Sequence, residues 1–191
     1  YIHSISERGV ELHNKATAKF WDVIVQMNTV NSTNKGITID SPLVRSAERL
    51  FDTSHVELGN TSFTSNIVKS NRTGINTESF YSVGNNMFDN SSAVLGDLIV
   101  DSNIINSTEY NGISIESFEE IGYDLYNDSS MNSGNILFKS NEIDAVNNGI
   151  RLDYVINIGS SLKDRTVVNF EGIKILDNQI KSDDTSIYLV E

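Results

Sequence analysis

An asparagine recurs in this chain at a nearly constant interval. The segments VIVQMNTV, TSFTSNIV, LIVDSNII, ILFKSNEI and IKILDNQI align so that five asparagines share one column, at intervals of 38, 37, 38 and 37 residues: Asn28, Asn66, Asn103, Asn141 and Asn178. So regular a column indicates a structural repeat. The chain therefore reads as a series of similar units, although its 191 residues would also suffice for one globular core.

Apolar residues flank each asparagine with the period of two that is typical of a strand with one buried face. Aliphatic residues stand two positions after it: Val30, Val68, Ile105, Ile143 and Ile180. A second strand is predicted where a glycine precedes an isoleucine, at Gly36, Gly74, Gly112 and Gly149. A short third strand is predicted before Gly84, Gly122 and Gly159, followed by a long excursion. Two or three strands per repeat describe a chain that coils so that each strand lies beside its copy in the next turn.

The corners of such a coil need residues with unusual backbone conformations. We expect the repeated asparagine to adopt the left-handed conformation at one corner, and its amide to hydrogen-bond with its copies from turn to turn. We expect the glycine before the isoleucine to adopt the left-handed conformation at the next corner.

Two solenoid families fit the repeat. Leu95 through Ile105 matches the leucine-rich pattern L-x-x-L-x-L-x-x-N-x-L, but such repeats run to roughly 20–29 residues and continue with a helix or 3₁₀ segment. The whole phrase, I-x-I-x-x-N-x-I followed by G-I-x-L, resembles the right-handed parallel β-helix repeat of the pectate-lyase-like superfamily over about residues 20–191. We therefore predict an all-β, right-handed parallel β-helix (solenoid) of about five turns with 37–38-residue repeats, and a leucine-rich-repeat solenoid is the alternative. We expect residues 1–191 to form a single domain and a segment of a longer chain.

Composition narrows the function classes. A formal net charge of −12, spread along the chain, disfavours nucleic acid and anionic membrane surfaces as partners. No apolar run approaches the ~20 residues that span a bilayer, so we expect no membrane insertion. Cysteine is absent, which excludes disulfides, thiolate metal sites and thiol catalysis. The three histidines, His3, His13 and His55, have no ligand spacing, and no serine is paired with a believable base.

An acid follows each Gly-Ile strand, at Asp40, Glu78, Glu116 and Asp153. Stacked carboxylates repel unless they are solvated, paired or bridged, so this outward column is either a row of solvated strand-end acids or a functional site. Carboxyls on adjacent turns would lie about 5 Å apart, near the spacing of a retaining glycosidase. Glu78, Glu116 and Asp153 are the candidate catalytic residues. No metal site is predicted, although a calcium-assisted lyase would use such clustered oxygens, so Ca²⁺ is the one cofactor left open.

Other residues are candidates for substrate binding. Arg151 precedes Asp153 by two positions on the same face and could bind substrate or the carboxylate, and Asp40 belongs to the acid column. Tyr123 and Tyr126 lie in the excursion, where loops on a rigid coil often carry recognition, and Tyr188 occupies an outward position. A structural role for these tyrosines is the competing interpretation.

The resemblance implies an extracellular, cell-surface or virion protein that engages polysaccharide or a cell-surface glycan along the side of the coil. The first hypothesis is a binding module, a piece of an adhesin or tailspike. The second is a polysaccharide hydrolase or lyase that uses the acidic column. A homotrimeric fibre is a third hypothesis, about assembly, and it is compatible with either function.

Overall fold

The computed structural model describes residues 11–40 and 43–190, which form an all-β parallel solenoid. The first lap contains β1 (Thr17–Phe20), β2 (Val23–Gln26), β3 (Thr29–Ser32), β4 (Ile37–Ile39) and β5 (Leu43–Ser46). The second contains β6 (His55–Leu58), β7 (Thr61–Thr64), β8 (Ile67–Ser70), β9 (Ile75–Thr77) and β10 (Phe80–Val83). The third contains β11 (Ser92–Leu95), β12 (Leu98–Asp101), β13 (Ile104–Ser107), β14 (Ile113–Ile115) and β15 (Phe118–Ile121).

Strands merge in the later laps. The fourth lap contains β16 (Ser130–Lys139), β17 (Glu142–Ala145), β18 (Ile150–Leu152) and β19 (Val155–Ile156), and the fifth contains β20 (Val167–Leu176), β21 (Gln179–Ser182) and β22 (Ile187–Leu189). The ten-residue β16 pairs with both β11 and β12, so the row β1, β6, β11 and the row β2, β7, β12 join into one eight-stranded sheet. The excursions predicted from sequence thus contain strands that were not predicted, β6 at the start of the second lap and β11 at the start of the third.

Every strand pairs in parallel with its copy in the neighbouring lap, at the predicted interval. Ile37 pairs with Ile75, for example, and Ile75 with Ile113. Two sheets contain five strands each, so about four full laps separate first strand from last, slightly fewer than the five turns predicted. The register is consistent with the predicted right-handed coil. The leucine-rich-repeat alternative is wrong, because strands follow each asparagine and the described ranges contain no helix. Accordingly, no helix in those ranges could span a membrane.

The repeated asparagines form a hydrogen-bonded ladder inside the coil. Asn66 and Asn103 are fully buried, and the side-chain nitrogen of each donates to the side-chain oxygen of the asparagine one lap later at 2.9 Å. The same oxygen accepts the backbone N–H of the previous asparagine, and the same nitrogen reaches a backbone carbonyl of the preceding lap. The predicted ladder is confirmed.

The conformations predicted for the corners are wrong in two places. The left-handed residue is the one before each asparagine: Met27, Ser65, Ser102, Ser140 and Asp177, with φ between 51° and 56°. Gly36, Gly74, Gly112 and Gly149 do not have positive φ. A Cβ at Gly112 would instead overlap the Ile143 side chain and the carbonyl of Gly149, so glycine is required by the close approach of the next lap.

A second set of corners is built on stacked rings. The rings of Phe51, Phe88 and Tyr126 lie parallel at centroid separations of 5.0 and 4.8 Å, and His13 extends the stack at 4.6 Å. Two residues with positive φ follow each ring, such as Asp89 and Asn90 after Phe88, and the next N–H closes the turn onto the carbonyl of the aromatic residue. Consecutive positive φ values of this kind characterise a type I′ turn.

Candidate functional site

A groove runs along the outside of the coil over the sheet formed by β4, β9, β14, β18 and β22; we call it the axial groove. Its floor consists of the middle residue of each strand, which faces away from the core: Thr38, Asn76, Ser114, Arg151 and Tyr188. One wall contains Lys35, Arg72 and Tyr110, from the corner before these strands, and the other contains Glu78, Glu116, Asp153 and Tyr154, from the corner after them. A cavity of about 500 Å³ lies between the walls, and Ser114 and Arg151 are the floor residues that line it.

Lys35 links two laps of the acid column. Its Nζ lies 3.3 Å from Glu78 Oε1 and 3.4 Å from Glu116 Oε1, so one ammonium bridges carboxylates that would otherwise repel each other. The lysine belongs to the first lap and the two acids to the second and third. Its side chain therefore crosses the groove diagonally from one wall to the other.

Arg151 and Asp153 form the most buried ion pair of the groove. Arg151 Nε donates to Asp153 Oδ2 at 2.7 Å, and only 9% of the Asp153 side chain is exposed. The guanidinium carbon lies 5.7 Å from the centroid of the Tyr188 ring, within the range of a cation–π contact. Asp153 is thus not a solvated strand-end acid, and its Oδ1 has no hydrogen-bond partner.

Aromatic side chains and a further cation complete the walls. The Arg72 guanidinium carbon lies 5.0 Å from the centroid of the Tyr110 ring, one lap along the same column. Tyr110 and Tyr154 are 43% and 53% exposed, so each presents ring surface to a molecule in or beside the groove. Together, the walls offer fixed donors, fixed acceptors and apolar ring surface.

The candidate residues from sequence divide into two groups. Glu78, Glu116, Arg151 and Asp153 all line the cavity, and Tyr188 lies at its edge against Arg151. Asp40 belongs to the first lap and does not line the cavity. Tyr126 lies in the ring stack of another corner, between Phe88 and the Lys163 ammonium. Tyr123 is half-buried, and its backbone N–H donates to Asn85 Oδ1 at 2.8 Å. The excursion tyrosines therefore lie away from the groove.

Sequence reasoning missed Lys35, Arg72, Tyr110 and Tyr154. The two cations lie on the wall opposite the acid column, because Lys35 and Arg72 stand five and six positions before the acids of their own laps. The sequence does carry one signal for this wall. Arg72 and Tyr110 are 38 residues apart, and each stands two positions before a glycine of the repeat, Gly74 and Gly112.

A histidine–serine pair lies outside the axial groove. His55 Nδ1 lies 2.8 Å from Ser92 Oγ, so a serine does pair with a histidine, contrary to the sequence prediction. Both residues lie on the outer face of paired strands, and neither lines the cavity of the axial groove. Within those residues, no cluster of three or more His, Asp or Glu side chains is suited to hold a metal ion.

Comparisons with known proteins leave the fold and the groove as the basis for assigning function. No protein-family model, no curated protein and no solved structure matches this chain.

Proposed function

We propose that the chain is an extracellular, cell-surface or virion β-helix module, a segment of an adhesin or tailspike, that binds polysaccharide in the axial groove. The observation that carries the proposal is the cavity itself, in which three cations and four acids line one space beside two exposed tyrosines: Lys35, Arg72, Arg151, Glu78, Glu116, Glu119 and Asp153.

Paired charges suit a hydroxyl-rich ligand. A guanidinium and a carboxylate that hold each other, as Arg151 and Asp153 do, present a donor and an acceptor in fixed positions, and a sugar hydroxyl both donates and accepts. Tyr110 and Tyr154 add ring faces on which the apolar face of a sugar ring can lie. The groove also follows the coil axis over several laps, so it fits a linear chain better than a compact small molecule.

Hydrolysis or elimination of the glycan is a second candidate function. It is favoured by one observation, that Glu78 and Glu116 each lie within hydrogen-bonding distance of a single nitrogen and so form a close carboxylate pair. However, Lys35 Nζ occupies the space between them, where the scissile bond would have to sit. Catalysis at this carboxylate pair would therefore require the lysine to move, whereas binding along the walls beside Tyr110 and Tyr154 would not.

Binding can be tested on hexasaccharides and on capsular and cell-wall polysaccharides. Neutral hexamers (maltohexaose, cellohexaose, mannohexaose and xylohexaose) would be compared with hexagalacturonate by calorimetry. We expect Tyr154→Ala to weaken binding of the preferred glycan about fivefold or more, the ~1 kcal/mol of a lost ring contact. Trp21→Ala is the matched control, because Trp21 is 81% exposed and lies outside the groove.

Two results would overturn the proposal. One is that none of these glycans binds the wild-type chain, and the other is that the Tyr154 and Trp21 variants bind equally well. If the wild-type chain releases new reducing ends or unsaturated products and Glu116→Gln does not, the chain is a polysaccharide hydrolase or lyase rather than a binding module. A molar mass in solution would test the homotrimer separately.

A further inference from the structure

Asn76 is buried in the floor of the axial groove without a partner for its amide. It is the middle residue of β9, and its neighbours Ile75 and Thr77 both lie in the interior, so its side chain faces the groove. Only 1% of the residue is exposed, and neither Nδ2 nor Oδ1 has a hydrogen-bond partner. An unpaired buried amide is unfavourable, because both polar ends have lost water and gained nothing in exchange.

The fold does not require an unpaired asparagine here. The same column has Thr38 in the lap before and Ser114 in the lap after, which are smaller and carry only a hydroxyl. Asn66, earlier in the same lap, shows that this coil can pair both ends of a buried amide, because its Nδ2 donates to Val25 and Asn103 and its Oδ1 accepts from Asn28. The amide of Asn76 is therefore not needed to stabilise the coil and can serve to bind another molecule.

The two ends of the Lys35 side chain indicate that it covers this floor position. Its backbone lies on one wall in the first lap, and its ammonium lies between Glu78 and Glu116 on the other wall, in the second and third laps. A side chain that joins these points passes over the second-lap floor, where Asn76 stands. The lysine therefore acts as a strap held at its far end by two ion pairs. Both acids are partly exposed, so each pair is weak and easily broken.

We propose that Asn76 is a sugar-binding residue that reads a vicinal diol of a neutral sugar unit, and that Lys35 is a strap which must move aside to admit it. The inference rests on the proposed glycan-binding function and adds a ligand class and a gate to it. An amide suits a vicinal diol because Nδ2–H donates to one hydroxyl oxygen while Oδ1 accepts the proton of the next hydroxyl.

The surroundings favour a neutral unit at this position. Lys35 and the two glutamates already neutralise one another in part, and Asn76 itself carries no charge. A carboxylated sugar placed on Asn76 would lie beside Glu78 and Glu116 once the strap had moved, and like charges repel. A hydroxyl pair meets no such repulsion.

The strap predicts an unusual dependence on salt. Because the ion pairs hold the closed form, screening them raises the fraction of molecules that are open, and the apparent affinity rises with that fraction. Binding of a neutral glycan by the wild-type chain should therefore strengthen with salt. An ordinary groove without a strap would show little change for the same glycan.

The test uses two variants in which a residue is replaced by the one at the equivalent position of the next lap. Asn76→Ser copies Ser114, and Lys35→Thr copies Thr73. The probes are the four neutral hexasaccharides, hexagalacturonate and fully O-methylated versions of the neutral hexamers, which keep the rings but have no hydroxyl donors. Affinity is measured by calorimetry at about 0.05 M and about 0.5 M NaCl, a change that screens surface ion pairs strongly.

We expect Asn76→Ser to bind the preferred neutral hexamer about tenfold more weakly, as for the loss of one or two hydrogen bonds. Its melting temperature should not fall, because no partner is lost, whereas a purely structural role would lower the melting temperature and leave binding unchanged. Lys35→Thr should bind about threefold or more tightly at low salt, as expected for an easily opened gate, and lose the strengthening with salt. The O-methylated hexamer should bind wild type and Asn76→Ser equally.

The outcomes separate this inference from the function on which it rests. If the wild-type chain binds a hexamer through Tyr154 while Asn76→Ser and Lys35→Thr bind like wild type, the diol site and the strap are wrong and glycan binding stands. Preference for hexagalacturonate at this position would also overturn the diol site. If the wild-type chain binds none of the probes, both proposals fail.

Discussion

Removing one member of the asparagine ladder should destabilise the coil by a large fraction of its total stability. In Asn103→Ala, the Asn66 backbone N–H and side-chain amide lose their shared acceptor, and the Phe63 carbonyl loses a donor at 2.9 Å. Asn103 is fully buried, so water cannot replace these bonds without opening the coil. Three groups that each lose a partner, at about 1–3 kcal/mol apiece, give about 3–9 kcal/mol. Domains of this size commonly have about 5–15 kcal/mol of stability in total.

The assay is urea unfolding of the Asn103→Ala chain, followed by far-ultraviolet circular dichroism. Asn106→Ala is the matched control, because Asn106 is exposed on β13 of the same lap. We expect the control to change stability by no more than about 0.5 kcal/mol. A loss below about 1 kcal/mol for Asn103→Ala, or equal losses for the two variants, would refute the view that the ladder is a main support of the coil.

Two further predictions concern packing and ionisation. Gly112→Ala should lower the free energy of unfolding by about 2 kcal/mol or more in the same assay. The added Cβ would overlap the Ile143 side chain and the Gly149 carbonyl, so the next lap would have to shift. A change near zero would contradict this reasoning. The hydrogen bond to Glu120, with partial burial and nearby negative charge, raises the pKa of Tyr81. The pKa of Tyr81 is higher in the folded chain than in the unfolded chain, so protonated Tyr81 stabilises the fold below the ordinary pKa of about 10. This contribution is lost as the pH rises through the raised pKa. Tyrosinate absorbance against pH should show this titration shifted downward in Glu120→Gln and absent in Tyr81→Phe; identical curves for wild type and Glu120→Gln would refute it.

The period and the ladder were predictable because identical residues at identical intervals are visible in the sequence. Asn66, Asn103 and Asn141 needed no knowledge of structure to be aligned. The strands β6 and β11 were missed because HVEL and SAVL share few residues with each other and are only four residues long. The left-handed corner was misassigned because Ser65 and Ser102 carry no sign of it, whereas asparagine is often found in that conformation.

The groove was predictable only along one column. Glu78, Glu116 and Asp153 recur at the repeat interval, so their alignment on one wall followed from the coil. The opposite wall depends on how far side chains reach across the sheet. Lys35 meets its partners at sequence separations of 43 and 81 residues, which no local pattern indicates. The orphaned amide of Asn76 is likewise invisible without the positions of its neighbours.

The ladder has a consequence for how proteins of this kind can change in length. Each asparagine bonds an identical asparagine and a backbone carbonyl in the neighbouring laps, so nothing in the ladder depends on how many laps there are. Excising the 37 residues from Ile67 to Asn103 would bring Asn141 beside Asn66 with every amide contact re-formed, whereas excising a few residues would leave the amides out of step. Such a chain can gain or lose whole copies of its unit, and its axial dimension can be altered in increments of one unit without redesigning the interior.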